Sequence, residues 1–181
     1  MADISRSYGQ MLSLNEIAEY HKDVVSSLNY YFNEMSEYST DRFFGYTPAE
    51  REEELKTRID ETGFRSILII LASLDASFRV DYESRCQKKF KDSLSRAFRD
   101  IHKKKAERAS LDEDIFEIWK IHRVECKRHI GELRAAFKFR NWLAHGRYWK
   151  PKLGRNFDFE YVYDLATAVN EDFFGDRPVN P

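Results

Sequence analysis

Between Leu12 and Tyr38, apolar side chains recur at Leu14, Ile17, Ala18, Val24, Val25, Leu28, Tyr31, Phe32 and Met35. Steps of three and four put these on one face of an amphipathic helix. Ser39 to Tyr46 has turn chemistry, and Thr47, Pro48, Ala49 and Glu50 form a capping box with proline at the first helical position. A second helix therefore begins at Pro48. It is charged as far as Thr62, Gly63 offers a point for a kink, and from Phe64 to Val80 it is apolar around most of its circumference. That stretch predicts the buried central helix. Between Arg85 and Arg108, Phe90, Leu94, Ala97, Phe98 and Ile101 keep helical spacing, while the other faces carry more Lys and Arg than acid. Ser110 to Glu113 is a second capping box, and it opens a helix striped by Ile115, Ile118, Trp119, His122, Cys126, Ile130, Leu133 and Phe137. Gly146, Pro151 and Gly154 interrupt the pattern. It resumes at Tyr161, Val162, Leu165, Ala166, Val169 and Phe173, and stops at Gly175.

Composition agrees with this reading. Gly and Pro are scarce and 34% of the residues are charged, a balance that favours helices over sheets. With 181 residues and no repeat or linker, residues 1–181 are expected to form one all-α domain, a helical bundle of about five helices. Met1 to Gln10 has no apolar core of signal-peptide length, and no stretch reaches membrane span, so a cytoplasmic protein is expected. Cys86 and Cys126 are then reduced thiols with packing roles. His122, Cys126 and His129 stand at i, i+4 and i+7, but no fourth ligand accompanies them, so neither a metal nor another cofactor is expected. A net charge of −1 gives no global attraction to nucleic acid. The basic stripe from Arg85 to Arg108 is open to two readings: it tracks an RNA backbone, or it is a solvated face balanced by the acidic segment from Glu50 to Glu61.

Candidate chemistry concentrates in Arg140, Asn141, Trp142, Leu143, Ala144, His145 and Gly146. Arg96 to His102 and Arg123 to His129 share an Arg-to-His spacing, but both lie on ordinary helical surface. At Arg140 the setting differs. A polar Asn follows the Arg, Gly146 follows the His and permits a left-handed exit from the helix, and Phe137, Phe139, Trp142, Leu143, Tyr148 and Trp149 are positioned to exclude water. The arrangement resembles the HEPN superfamily, in which an Arg, often followed by a polar residue, precedes a His by four to six positions. The stretch from Ala72 to Arg79 resembles the acid-bearing helix upstream in many of its members, with Asp75 as the acid.

The resemblance implies a HEPN-like bundle that cleaves RNA without metal, by attack of the ribose 2′-OH on the adjacent phosphate. His145 would move the proton, Arg140 would grip phosphate oxygens, and Asn141 would orient the His or a phosphate through its amide. Asp75 would hold Arg140, or else pair with Arg79 one turn along. Arg147, Tyr148 and Trp149 are the substrate-binding candidates, the two aromatics as stacking surfaces for bases. Five residues advance a helix by about 140° beyond a full turn, so the helix must end between Arg140 and His145, or two subunits must combine their sites. A homodimer follows from the resemblance, as does a role as a toxin or phage-defence effector with an antitoxin partner. Some HEPN toxins carry Tyr two residues after the His; here that place holds Arg147. The alternative is a non-catalytic module of this class that binds RNA, nucleotide or a protein partner.

Overall fold

A computed structural model describes residues 12–33 and 42–175. Six α-helices occupy the described residues: α1 (Leu14–Tyr31), α2 (Pro48–Lys88), α3 (Ser93–Lys105), α4 (Phe116–His122), α5 (Lys127–Ala144) and α6 (Phe159–Phe174). The chain is all-α. No strand occurs among the described residues, and no helix there is long and apolar enough to cross a membrane.

Local chemistry sets the helix starts. Thr47 accepts from the Glu50 amide while the Glu50 carboxylate accepts from the Thr47 amide, the capping box expected at Pro48. Ser13 and Glu16 do the same for α1, so that helix starts at Leu14. Helix α1 closes at Tyr31 with Phe32 as its C-cap, short of the expected run to Tyr38, the rest of which lies outside the described residues. Asp92 caps α3 and Asp158 caps α6.

Helix α2 is the axis of the bundle. It runs unbroken through Gly63 for 41 residues, well past Val80, and buries Ile67, Ile70, Leu71, Leu74 and Phe78 almost completely. Each such side chain contributes roughly 1.5–3 kcal/mol by leaving water. Gly63 introduces no kink, and it faces α6: a Cβ there would lie in ordinary contact with Phe159 Cβ, 3.9 Å away. Near the other end of α2, Phe78 packs edge-on against Phe173 at 5.3 Å, so α6 lies parallel to α2. Helix α5 lies antiparallel to both. Its Phe139 meets Phe64 at 5.9 Å and Phe157 at 5.1 Å, while its His129 meets Asp172 at 2.8 Å.

Two expected helices are each divided. The basic stretch breaks at Lys89, whose φ of 52° is left-handed, so Arg85 to Lys88 belong to α2. The expected fourth helix breaks at Arg123, with φ −136° and ψ 84°. Six helices result in place of about five. The Arg123 break also removes the helical register of His122, Cys126 and His129; Cys126 is buried in a 3₁₀ turn and His129 faces Asp172. No group of metal-ligating side chains gathers among the described residues.

The second capping box takes another form. The turn from Leu111 to Ile115 is a π-helix, and its wider pitch moves the acid that reaches the Ser110 amide from Glu113 to Asp114. Asp114 is buried, accepts from Ser110 N at 2.8 Å, and accepts from Lys105 Nζ at 2.7 and 2.8 Å. Burial pushes its carboxyl up, but the Lys105 and Ser110 hydrogen bonds outweigh this and hold it below the usual value. Asp114→Ala is expected to cost about 1–3 kcal/mol in urea denaturation at neutral pH. A depressed folded pKa stabilises the fold above the unfolded pKa, roughly pH 4, and that contribution is lost as pH falls through the folded value. The substitution should therefore flatten the acid limb of the stability profile.

Candidate active site at the end of α5

The motif occupies the last turn of α5 and the turn that follows. His145 is the helix C-cap, and its amide still donates to Asn141 O at 3.0 Å. Gly146 then turns left-handed at φ 81° and Arg147 at φ 59°. The Gly146 amide donates to Leu143 O at 3.3 Å and the Arg147 amide to Trp142 O at 3.2 Å, which together form a Schellman closure. The expected left-handed exit at Gly146 is present. The helix ends at His145 and not before it, however, so Arg140 and His145 stay about 140° apart around one helical path.

The aromatic residues divide between interior and surface. Phe139 and Leu143 face the core, and Phe139 stacks on Trp142 at 5.5 Å and on Phe157 at 5.1 Å. Trp142 Nε1 donates to Trp149 O at 2.6 Å, which ties the following loop back to the helix. Asn141 and His145 are on the open side, both exposed, and Arg140 is half-buried with its guanidinium 5.9 Å from the Phe137 ring centre. The expected water exclusion around the Arg and His is thus not provided by this chain alone, because its apolar side chains are spent on the core. Neither Arg140 nor His145 has a side-chain hydrogen bond or ion pair among the described residues, so both are available to a ligand.

The expected support from Asp75 does not form. Arg140 follows Phe139, which is level with Phe64, while Asp75 lies eleven residues beyond Phe64, about 16 Å along α2. Asp75 instead pairs with Arg79 at 2.7 Å, one turn along its own helix. The acid that does reach the site is Glu61. It accepts two hydrogen bonds from Arg147, one of them at 3.1 Å, while the Arg147 guanidinium lies 5.5 Å from the Phe64 ring centre. The bond from Arg147 holds the Glu61 carboxyl below its ordinary range, and Glu61 in turn raises Arg147. Arg147, expected as a substrate contact, is thus an anchor of the turn. Tyr148 is 83% exposed and meets Trp149 edge-on at 4.5 Å, so the two expected stacking surfaces lie together and open to solvent.

A charge pattern around the motif adds residues that its spacing does not single out. No acid occurs from Leu133 to Phe157, whereas Arg134, Lys138, Arg140, Arg147, Lys150, Lys152 and Arg155 all do. Arg134 is taken up by Asp112 and Glu117, and Arg155 lies over Tyr161. Lys138, Lys150 and Lys152 stay exposed, a local set of cations on a chain of net charge −1. An acid-free window of this kind is the sequence signal for it.

Gly146→Ala should lower stability by about 1 kcal/mol in thermal denaturation. Its φ is left-handed and no atom lies within 4 Å of an added Cβ, so the loss would be conformational rather than steric. No family model, curated protein or solved structure matches this chain.

Proposed function

We propose that the chain is a metal-independent endoribonuclease of the HEPN type. The observation that carries the reading is Arg140 and an exposed His145 at the end of one helix, within an acid-free basic segment, neither side chain in a hydrogen bond or ion pair among the described residues. An imidazole titrates near neutrality and so exchanges protons at cellular pH. A guanidinium stays charged and offers a planar fork to phosphate oxygens.

In this mechanism the ribose 2′-oxygen bonds to the neighbouring phosphorus and its proton passes to a base. The bond from phosphorus to the 5′-oxygen breaks, and an acid returns a proton to that oxygen, leaving a 2′,3′-cyclic phosphate and a 5′-hydroxyl. Arg140 stabilises the charge that builds on the non-bridging oxygens. One His145 serves as base or acid. A second copy across a homodimer supplies the other, and its surface shields the site from water. Lys138, Lys150 and Lys152 position the backbone, Tyr148 and Trp149 stack an unpaired base, and Asn141 donates to a phosphate oxygen. A cleaving domain of this kind suits a toxin or phage-defence effector restrained by an antitoxin. The openness of His145 favours one other reading, a module that binds RNA without cutting it.

Incubation of the purified chain with total RNA in the presence of EDTA tests the proposal. Cleavage is expected, with loss of about 100-fold or more in rate for His145→Ala and for Arg140→Ala. Arg140→Lys should recover little, since a point charge does not replace the fork. Equal behaviour of wild type and variants would sink the enzyme; binding with no cut by any of them would leave the binding module.

A further inference from the structure

The connection between α2 and α3 lies at the end of the bundle remote from His145. Arg147 bonds Glu61, and Lys88 is 27 residues further along the same unbroken helix, about 40 Å away. Here the structure sorts the basic stripe into two sets of cations. Arg85 faces inward, bonded to the buried Asp81 at 2.9 Å and to Ser95 at 3.2 Å, with its guanidinium 5.4 Å from the Trp119 ring centre. Lys105 is held by Asp114, and Lys103 by Asp100 at 3.0 Å. These serve the fold. Lys88, Lys89, Lys91 and Arg96 are exposed and have no acidic partner among the described residues.

Geometry gathers this second set. Arg99 donates to Phe90 O at 2.8 Å, which holds the connection against the first turns of α3, and Arg96, three residues before Arg99, shares that helix face. Lys89 adopts a left-handed backbone where glycine is the unstrained choice, so a cation stands at a position that local conformation alone would not give it. Phe90, in the middle of the three lysines, leaves 40% of its surface in water. A solvated helix face needs no exposed ring. Cations that track phosphates around an aromatic that stacks a base are the composition of a single-stranded nucleic acid contact.

We infer that the α2–α3 connection, through Lys88, Lys89, Phe90, Lys91 and Arg96, is a second RNA-binding surface that takes single-stranded RNA. Its binding stands on this charge and geometry. That the same RNA also reaches Arg140 and His145 rests on the proposal above.

Fluorescence anisotropy with a labelled single-stranded RNA of roughly 30 nucleotides, in a His145→Ala background that prevents cutting, separates the two claims. Replacing Lys88, Lys89 and Lys91 together by Gln should weaken binding by about tenfold or more and reduce the salt slope by about 2. Phe90→Ala should weaken it by roughly fivefold or more. Unchanged thermal denaturation verifies the fold, since these side chains hold no partner. A tetranucleotide, too short to reach both ends, should be cut equally by wild type and by the triple variant with His145 intact. Equal affinity of the triple variant for the long RNA would overturn the surface, as would lysine-dependent binding to phosphatidylserine vesicles with none to RNA. An absence of cleavage alongside lysine-dependent binding would remove the nuclease reading and leave this surface standing.

Discussion

A helix of 41 residues with an apolar middle is stable in water only where that middle is covered, and this requirement organises the whole chain. Ile67, Ile70, Leu71, Leu74 and Phe78 line one broad face of α2, whereas Ile69 is 40% exposed, and that face is shared among several neighbours. Helices α1, α3, α5 and α6 each take a part. The aromatic cluster of Phe78, Phe116, Trp119 and Phe173 closes the far end of the core, and Phe64, Phe139 and Phe157 close the near end. Toward the far tip the cover continues through Asp81, Tyr82 and Cys86, so only the last residues of α2 are exposed there.

The chemistry therefore lies at the ends. Helix α5 runs antiparallel to α2 with Ile130, Leu133 and Phe139 in the core, and that direction delivers Arg140 and His145 to the near end, beside the acidic start of α2. Glu61 is in place to receive Arg147 for that reason. The pair joins residues 86 apart in sequence and fixes the loop that displays Tyr148 and Trp149. Basic residues at the far tip of α2 and along α3 face the opposite way. A chain with almost no net charge thus has local fields that differ strongly along its long axis.

What the sequence discloses depends on the range of the interaction. The Pro48 start, the Gly146 exit and the Asp75 pair with Arg79 each depend on residues within five positions of one another, and all three are legible. The break at Arg123 is hidden because Trp119, Cys126 and Ile130 stay at helix-compatible intervals across it, with no Gly or Pro to mark the change. The π turn at Leu111 is hidden for a similar reason: Glu113 and Asp114 are both acids, and only the pitch decides which one caps Ser110. The Glu61 partner of Arg147 has no local sign. Asp75 shows the opposite hazard, since a residue type in the expected pattern lies about 16 Å along α2 from Phe64, the level at which Arg140 stands.

Both native thiols are deep in the core. Burial pushes Cys86 and Cys126 each up to about 11, so neither presents a thiolate at neutral pH while the bundle is closed. Cys86 is near the far tip of α2, and Cys126 precedes the start of α5, which meets the end of α6. The half that holds Arg140 and His145 contains no sulfhydryl among the described residues. The chain is in effect silent to alkylating reagents there, and a single cysteine introduced at Tyr148 would report the motion of that turn without interference from the rest of the molecule.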